Sequence, residues 1–160
     1  MLFNQGNDCH AAGQLAQAES ALRQAIALAP DHARAHNNLG LVLQEQMRLA
    51  EAASCYRSAL QASPGYALAH HNLGNVLQHS GDLDQALGHY RQALACGLAS
   101  THLFENLLFL LNYHPDLSAE EIFEGYREYE RRFGLPMLGR WRPHGNARDL
   151  HRRLKVGYVS

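Results

Sequence analysis

Small and apolar residues recur along this 160-residue chain with a period of 34. Glycine returns at Gly6, Gly40 and Gly74, leucine at Leu15, Leu49 and Leu83, and alanine at Ala18, Ala52 and Ala86 and again at Ala25, Ala59 and Ala93. Leu22, Tyr56 and Tyr90 supply one large residue per period, while Pro30 and Pro64 close the first two and Leu98 takes the third place. The pattern predicts two helices per period, over roughly 1–12, 15–29, 31–47, 49–63, 65–80 and 83–97. Asp82, after Gly81, is placed to cap the last of these. Small residues let the two helices of a hairpin approach closely, and larger ones fill the gap between successive hairpins. Proline cannot continue the second helix and forces the turn into the next unit. A fixed period of this length marks stacked repeats, each burying its apolar face on its neighbours.

Beyond the third unit, Phe104, Asn106 and Leu107 keep the first-helix pattern and the register is then lost. Leu107-Leu-Phe-Leu-Leu reads as a fully buried helix ending before Tyr113-His-Pro-Asp. Ser118-Ala-Glu-Glu is a capping box opening a helix with Ile122, Phe123, Tyr126, Tyr129 and Phe133, expected to close the stack. Pro136, Gly139, Pro143 and Gly145 then interrupt any period, with Arg140, Arg142 and Arg148 among them, as in a linker. Leu154-Lys-Val-Gly-Tyr-Val-Ser alternates like the start of a buried parallel strand, and a lone strand needs partners from a further domain. The expected organisation is therefore all-α: three repeats over 1–100 (1–32, 33–66 and 67–100, the first truncated), a degenerate fourth first-helix plus closing helix over 101–133, a linker over 134–152, and an orphan strand over 153–160. Met1 falls at the third position of its unit, so the array starts uncapped, which suggests a longer parent array and favours self-association.

The repeats resemble the tetratricopeptide repeat. Gly40 and Gly74, Ala52 and Ala86, Tyr56 and Tyr90, Ala59 and Ala93, and Pro64 stand at that family's small, alanine, aromatic, late-alanine and proline positions. His36 and His70 replace its bulky aromatic near the start of the first helix and are expected to pack there. The resemblance implies a right-handed superhelix of antiparallel helix pairs whose first helices line the concave face. Two further stretches narrow it. Asn106-Leu-Leu-Phe-Leu-Leu-Asn-Tyr-His-Pro-Asp-Leu-Ser-Ala-Glu-Glu-Ile-Phe resembles the segment joining repeats to catalytic region in bacterial protein O-GlcNAc transferases and their SPINDLY-type relatives. Arg153-Leu-Lys-Val-Gly-Tyr-Val-Ser resembles the first strand of that catalytic region. That family transfers N-acetylglucosamine from UDP-GlcNAc to protein Ser or Thr, with its catalytic and nucleotide-holding residues beyond this strand. The resemblance therefore implies a transferase parent and no catalytic or UDP-GlcNAc-binding residue within residues 1–160. A free-standing repeat adaptor that assembles protein complexes is the alternative.

One asparagine also keeps the period, at Asn4, Asn38, Asn72 and Asn106. On the expected concave face its neighbours are Asn37, His71, Asn75, Gln44 and Gln78, with Arg34 the only cation. A ladder of amides can donate to and accept from the backbone of an extended polypeptide, whatever its side chains; in the resembled family such a ladder holds substrate. The same amides could instead bond locally between repeats and stabilise the stack. A carboxylate clamp of the kind used by chaperone-binding repeats needs several Lys or Arg and lacks them here.

Composition adds limits. The formal net charge is -1, divided into -7 over 1–126 (5 Lys/Arg, 12 Asp/Glu) and +6 over 127–160 (9 and 3). The basic end lacks interleaved exposed aromatics, and its prolines fit a solvated linker better than a nucleic-acid site. Cys9, Cys55 and Cys96, without Cys-x-x-Cys spacing, read as free thiols facing neighbours or core in a reducing compartment. Among the eleven histidines, His70 and His71 are adjacent, hence about 100° apart on a helix, and no metal site is expected. With no secretory leader and no span-length apolar run, the expectation is a cytoplasmic protein away from membranes.

Overall fold

A computed structural model describes residues 1–140. Eight helices follow in order: α1 (Leu2–Ala11), α2 (Leu15–Leu28), α3 (Ala33–Glu45), α4 (Leu49–Ala62), α5 (Ala67–His79), α6 (Leu83–Ala95), α7 (Thr101–Tyr113) and α8 (Ala119–Tyr129). The chain pairs as α1 with α2, α3 with α4 and α5 with α6, and each second helix packs on the next unit's first helix. The first helices α1, α3, α5 and α7 also pack in sequence, whereas the second helices lie farther apart, α2 reaching α4 through the long Arg23–Glu51 ion pair at 3.6 Å. Such a stack curves towards its first helices, which form the concave side.

The core follows the 34-residue register. Ala18, Leu22, Ala52, Tyr56, Ala59, Ala86, Tyr90 and Ala93 are completely buried. Asp82 accepts from the Gln85 amide at 3.3 Å and caps α6, and Ser118 with Glu121 forms the capping box of α8. Each hairpin turn needs one residue of positive φ, and these recur at Gly13 (73°), Met47 (62°) and Gly81 (82°). Met47 makes the bonds of its glycine counterparts, its N–H donating to Gln44 O at 2.9 Å, but carries a Cβ in left-handed space. Its side chain is 78% exposed, so little packing is lost with it. Met47→Gly should therefore stabilise the protein by up to about 1 kcal/mol, and thermal unfolding checks it: a lower Tm would mean the methionine side chain contributes more than the backbone strain.

Two expectations need correction, one for the Leu107–Leu111 run and one for Cys96. The Leu107–Leu111 run is not fully buried: Leu107, Leu110 and Leu111 face the core, but Phe109 is 53% exposed, because five consecutive helical residues cannot all face one side. On α8 and the π-helical turn that continues it (Glu130–Gly134), Ile122, Tyr129 and Phe133 pack against the core, Phe123 points outward, and the half-exposed Tyr126 accepts from Asn112 Nδ2 of α7 at 2.6 Å. Tyr129 and Phe133 cover Phe104, with ring centroids 6.0 and 5.3 Å away. Cys96 is exposed at the C-cap of α6 instead of facing a neighbour; Cys9 and Cys55 are half-buried. The closing-helix stretch ends in this π-helical turn, and the stretch read as linker from Gly134 begins with a 3-10 turn (Leu135–Arg140). Its remainder and the expected strand over 153–160 lie outside the described residues.

Candidate functional site

The first helices bring the register asparagines onto one side, and their bonds run between repeats. Asn38 donates through Nδ2 to Asn7 Oδ1 (2.7 Å), Asn72 to Asn37 Oδ1 (3.0 Å), and Asn106 to Asn75 Oδ1 (2.9 Å), with His71 Nε2 3.3 Å from the same nitrogen. Asn37, only 2% exposed, also donates to Asn38 Oδ1 at 3.1 Å. Each register amide therefore reaches back to the preceding unit, either a few residues short of a period or one residue beyond it. Asn4 is exposed on α1. Asn7 belongs to this ladder although the sequence register did not single it out; it lies on α1, about one helical turn beyond Asn4.

A second device sits behind the amides. Tyr56 of α4 lies against Gly40 of α3, and Tyr90 of α6 against Gly74 of α5; a Cβ on either glycine would stand 2.5 or 2.6 Å from the ring. Because glycine leaves that notch open, each tyrosine crosses the hairpin and brings its hydroxyl to the concave side. Tyr56 donates to Gln44 Oε1 at 2.9 Å. Tyr90 shares its proton between Gln78 Oε1 (2.6 Å) and Asn75 Oδ1 (2.8 Å). Burial holds both phenols well above their ordinary range, so they remain donors. With these oxygens occupied, the amide nitrogens of Asn7, Gln44, Asn75 and Gln78 have no acceptor among the described residues, and Asn72 and Asn106 keep their oxygens open. The groove thus offers neutral donors and neutral acceptors, the two groups a peptide unit requires. Its cation, Arg34, leans over Phe3 with Cζ 5.4 Å from the ring centre.

The histidines do separate work. His36 and His70 each hold the proline carbonyl that closes the previous unit, Nε2 lying 2.8 Å from Pro30 O and 2.9 Å from Pro64 O. They latch a turn by hydrogen bonding, a more specific role than the packing expected of them. His70 Nδ1 then meets His89 Nδ1 at 3.0 Å. His114, buried at the end of α7, reaches Asp84 of α6 at 3.1 Å. Among the described residues no three His, Cys, Asp or Glu side chains converge to hold a metal ion.

Burial lowers the pKa of His71, helped by His102, and of His89, helped by His70 and Arg57. The unfolded chain then binds protons first as pH falls below the ordinary histidine value of about 6.5, so stability is full above that value and declines as pH falls towards the folded values. Urea midpoints should drop from pH 7.5 to 5.5, and His71→Gln with His89→Gln should flatten the slope. An unchanged slope would place the titration elsewhere.

At the α7 end the groove widens into a cavity of about 620 Å³ bordered by Gln44, Asn75, Gln78, Leu83, Phe109 and Tyr113 among others. The two aromatics escaped the sequence reading. They stand one period after Asn75 and His79, a substitution visible once the register is extended through the fourth unit.

Two family models match the chain: one described as tetratricopeptide repeat over residues 31–99, and one as TPR repeat over 6–46. No curated protein matches by sequence. Among solved structures, a Thermobaculum terrenum O-GlcNAc transferase (mutant K341M) is 26% identical with a TM-score of 0.72 over 82% of this chain. The chain spans only 25% of that protein's length. The first TPR of Spaghetti (RPAP3), solved with the HSP90 peptide SRMEEVD, is 17% identical (TM-score 0.66, 68% of this chain and 86% of that one). The Arabidopsis OM64 TPR domain is also 17% identical (TM-score 0.67, 70% and 93%).

Proposed function

We propose that these tetratricopeptide repeats form a polypeptide-binding scaffold, serving as the substrate-recognition and linker portion of a protein O-GlcNAc transferase-like glycosyltransferase. The binding reading is carried by the amide ladder: tyrosine hydroxyls and neighbouring amides occupy one end of Asn7, Gln44, Asn72, Asn75, Gln78 and Asn106 and leave the other end for a ligand, while Asn37 and Asn38 are engaged at both ends. Since these groups are uncharged, they select extended backbone over charged side chains. The transferase reading is supported by the likeness to the Thermobaculum terrenum enzyme and by the 106–123 and 153–160 stretches. In that reading α8 and the turns after it lead from scaffold towards the catalytic region, and UDP-GlcNAc is held by residues outside this chain.

A free-standing adaptor is the second reading, favoured by family matches that concern the repeats alone. The coding sequence downstream of Ser160 separates the two: continuation into a glycosyltransferase supports the first, and unrelated sequence supports the adaptor. Binding itself is measured by fluorescence anisotropy with a short, unstructured Ala/Ser/Thr peptide. Gln44→Ala with Gln78→Ala should weaken binding several-fold and leave helical circular dichroism intact. Asn38→Ala with Asn72→Ala should weaken binding and also lower stability, because buried Asn37 loses its donor. Wild-type affinity in the glutamine variant would make the amides purely structural.

A further inference from the structure

We infer that the α7 end of the groove is a side-chain subsite, where a polypeptide held by the amides inserts one large apolar residue, preferably aromatic. This inference rests on the polypeptide-binding reading and names which polypeptides the groove prefers. The positions that carry Asn75 and His79 on α5 carry Phe109 and Tyr113 on α7, so the lining turns from polar to aromatic at a single unit. Phe109 is 53% and Tyr113 68% exposed, and their rings stack with centroids 4.5 Å apart. Large aromatics that stay half-exposed beside a cavity are informative where scattered surface leucines are not. Leu83 and Leu110 complete the apolar wall, while Asn75 and Gln78 border the same cavity and present amide nitrogens. Among the described residues no Lys, Arg, Asp or Glu borders it.

These features select one occupant. Successive side chains of an extended strand point to opposite sides. A peptide unit accepting from Gln78 or Asn75 can therefore direct the adjacent side chain onto Phe109 and Tyr113. A charged side chain would lose hydration there without meeting a counter-charge. An aromatic one gains offset or edge-to-face contact with the stacked pair.

The test uses the full 160-residue chain and two fluorescein-labelled peptides that differ at one central position, Ala in one and Phe in the other. The Phe peptide should bind roughly tenfold tighter to the wild type. Phe109→Ala with Tyr113→Ala should bring the ratio of the two affinities to about one. Gln44→Ala with Gln78→Ala should weaken both peptides together and preserve the ratio. Circular dichroism monitors folding, and Tyr113→Ser alone, altering the more exposed ring, provides the ratio if the double variant unfolds.

Equal binding of the two peptides by wild type overturns the subsite and leaves the scaffold reading standing. A preference that survives loss of both rings also overturns it, placing the anchor elsewhere. Failure of wild type to bind either peptide overturns both readings. Sedimentation showing a dimer that disappears in the aromatic variant overturns the subsite in favour of self-association.

Discussion

Replacing Tyr90 by alanine is expected to cost about 3–5 kcal/mol, the range for emptying a fully buried aromatic position. Tyr90→Phe is expected to cost only about 1 kcal/mol, that of a single hydrogen bond. The ring is completely buried between α5 and α6, and its hydroxyl reaches Asn75 and Gln78. Alanine leaves a cavity where the two helices meet, whereas phenylalanine keeps the ring and releases two acceptors that border an open groove and can take up water. Urea unfolding of the three proteins separates the contributions. Equal losses for Ala and Phe would mean that the hydroxyl, and not the ring, holds the hairpin. Because each repeat contacts only its neighbours, the alanine variant should also split the transition, with the third unit melting before the first.

Gly40→Ala is expected to destabilise by about 1–3 kcal/mol, against the helix-forming preference for alanine. The new Cβ would stand 2.5 Å from Tyr56 Cε1, 2.8 Å from Cδ1 and 2.9 Å from Cζ, and the fully buried ring has little room to retreat. Gly88→Ala is the control. It also lies inside a helix, α6, but is exposed, and a Cβ added there would meet nothing within 4 Å. That substitution should stabilise by up to about 1 kcal/mol from propensity alone. Opposite signs for the two variants establish the notch; a stabilising Gly40→Ala would show that the tyrosine moves aside freely. Combining Gly40→Ala with Tyr56→Ala should cost less than the two losses added, since the small side chain then enters space the ring has vacated.

Much of the scaffold was legible because its signals are local. Leu15, Leu49 and Leu83 open second helices in the structure at the positions the register marked, and Asp82 and Ser118 cap α6 and α8. Caps, turns and small-residue positions depend on neighbours within a few residues, so a linear pattern carries them. The candidate site was legible at lower resolution. The recurrence of Asn4, Asn38, Asn72 and Asn106 placed these amides on the first helices, where the structure has them, but did not show which of their atoms are engaged within the stack. Asn7 was missed because its identity returns only two periods on, at Asn75, with Leu41 between them, and Phe109 and Tyr113 because they replace the polar Asn75 and His79 of the unit before.

The period, the helix pairs and the choice of concave residues are therefore properties of the sequence alone, since backbone geometry and close packing admit few other ways to satisfy such a repeat. The direction of each amide, the emergence of the tyrosine hydroxyls and the outward turn of Phe109 are decided by tertiary structure. The amides and hydroxyls depend on partners 12 to 35 residues away, as between Tyr56 and Gln44 or Asn72 and Asn37. A side-chain amide has one donor end and one acceptor end, and which end faces the groove is settled only when the neighbouring repeat, or the tyrosine of its own hairpin, has taken the other.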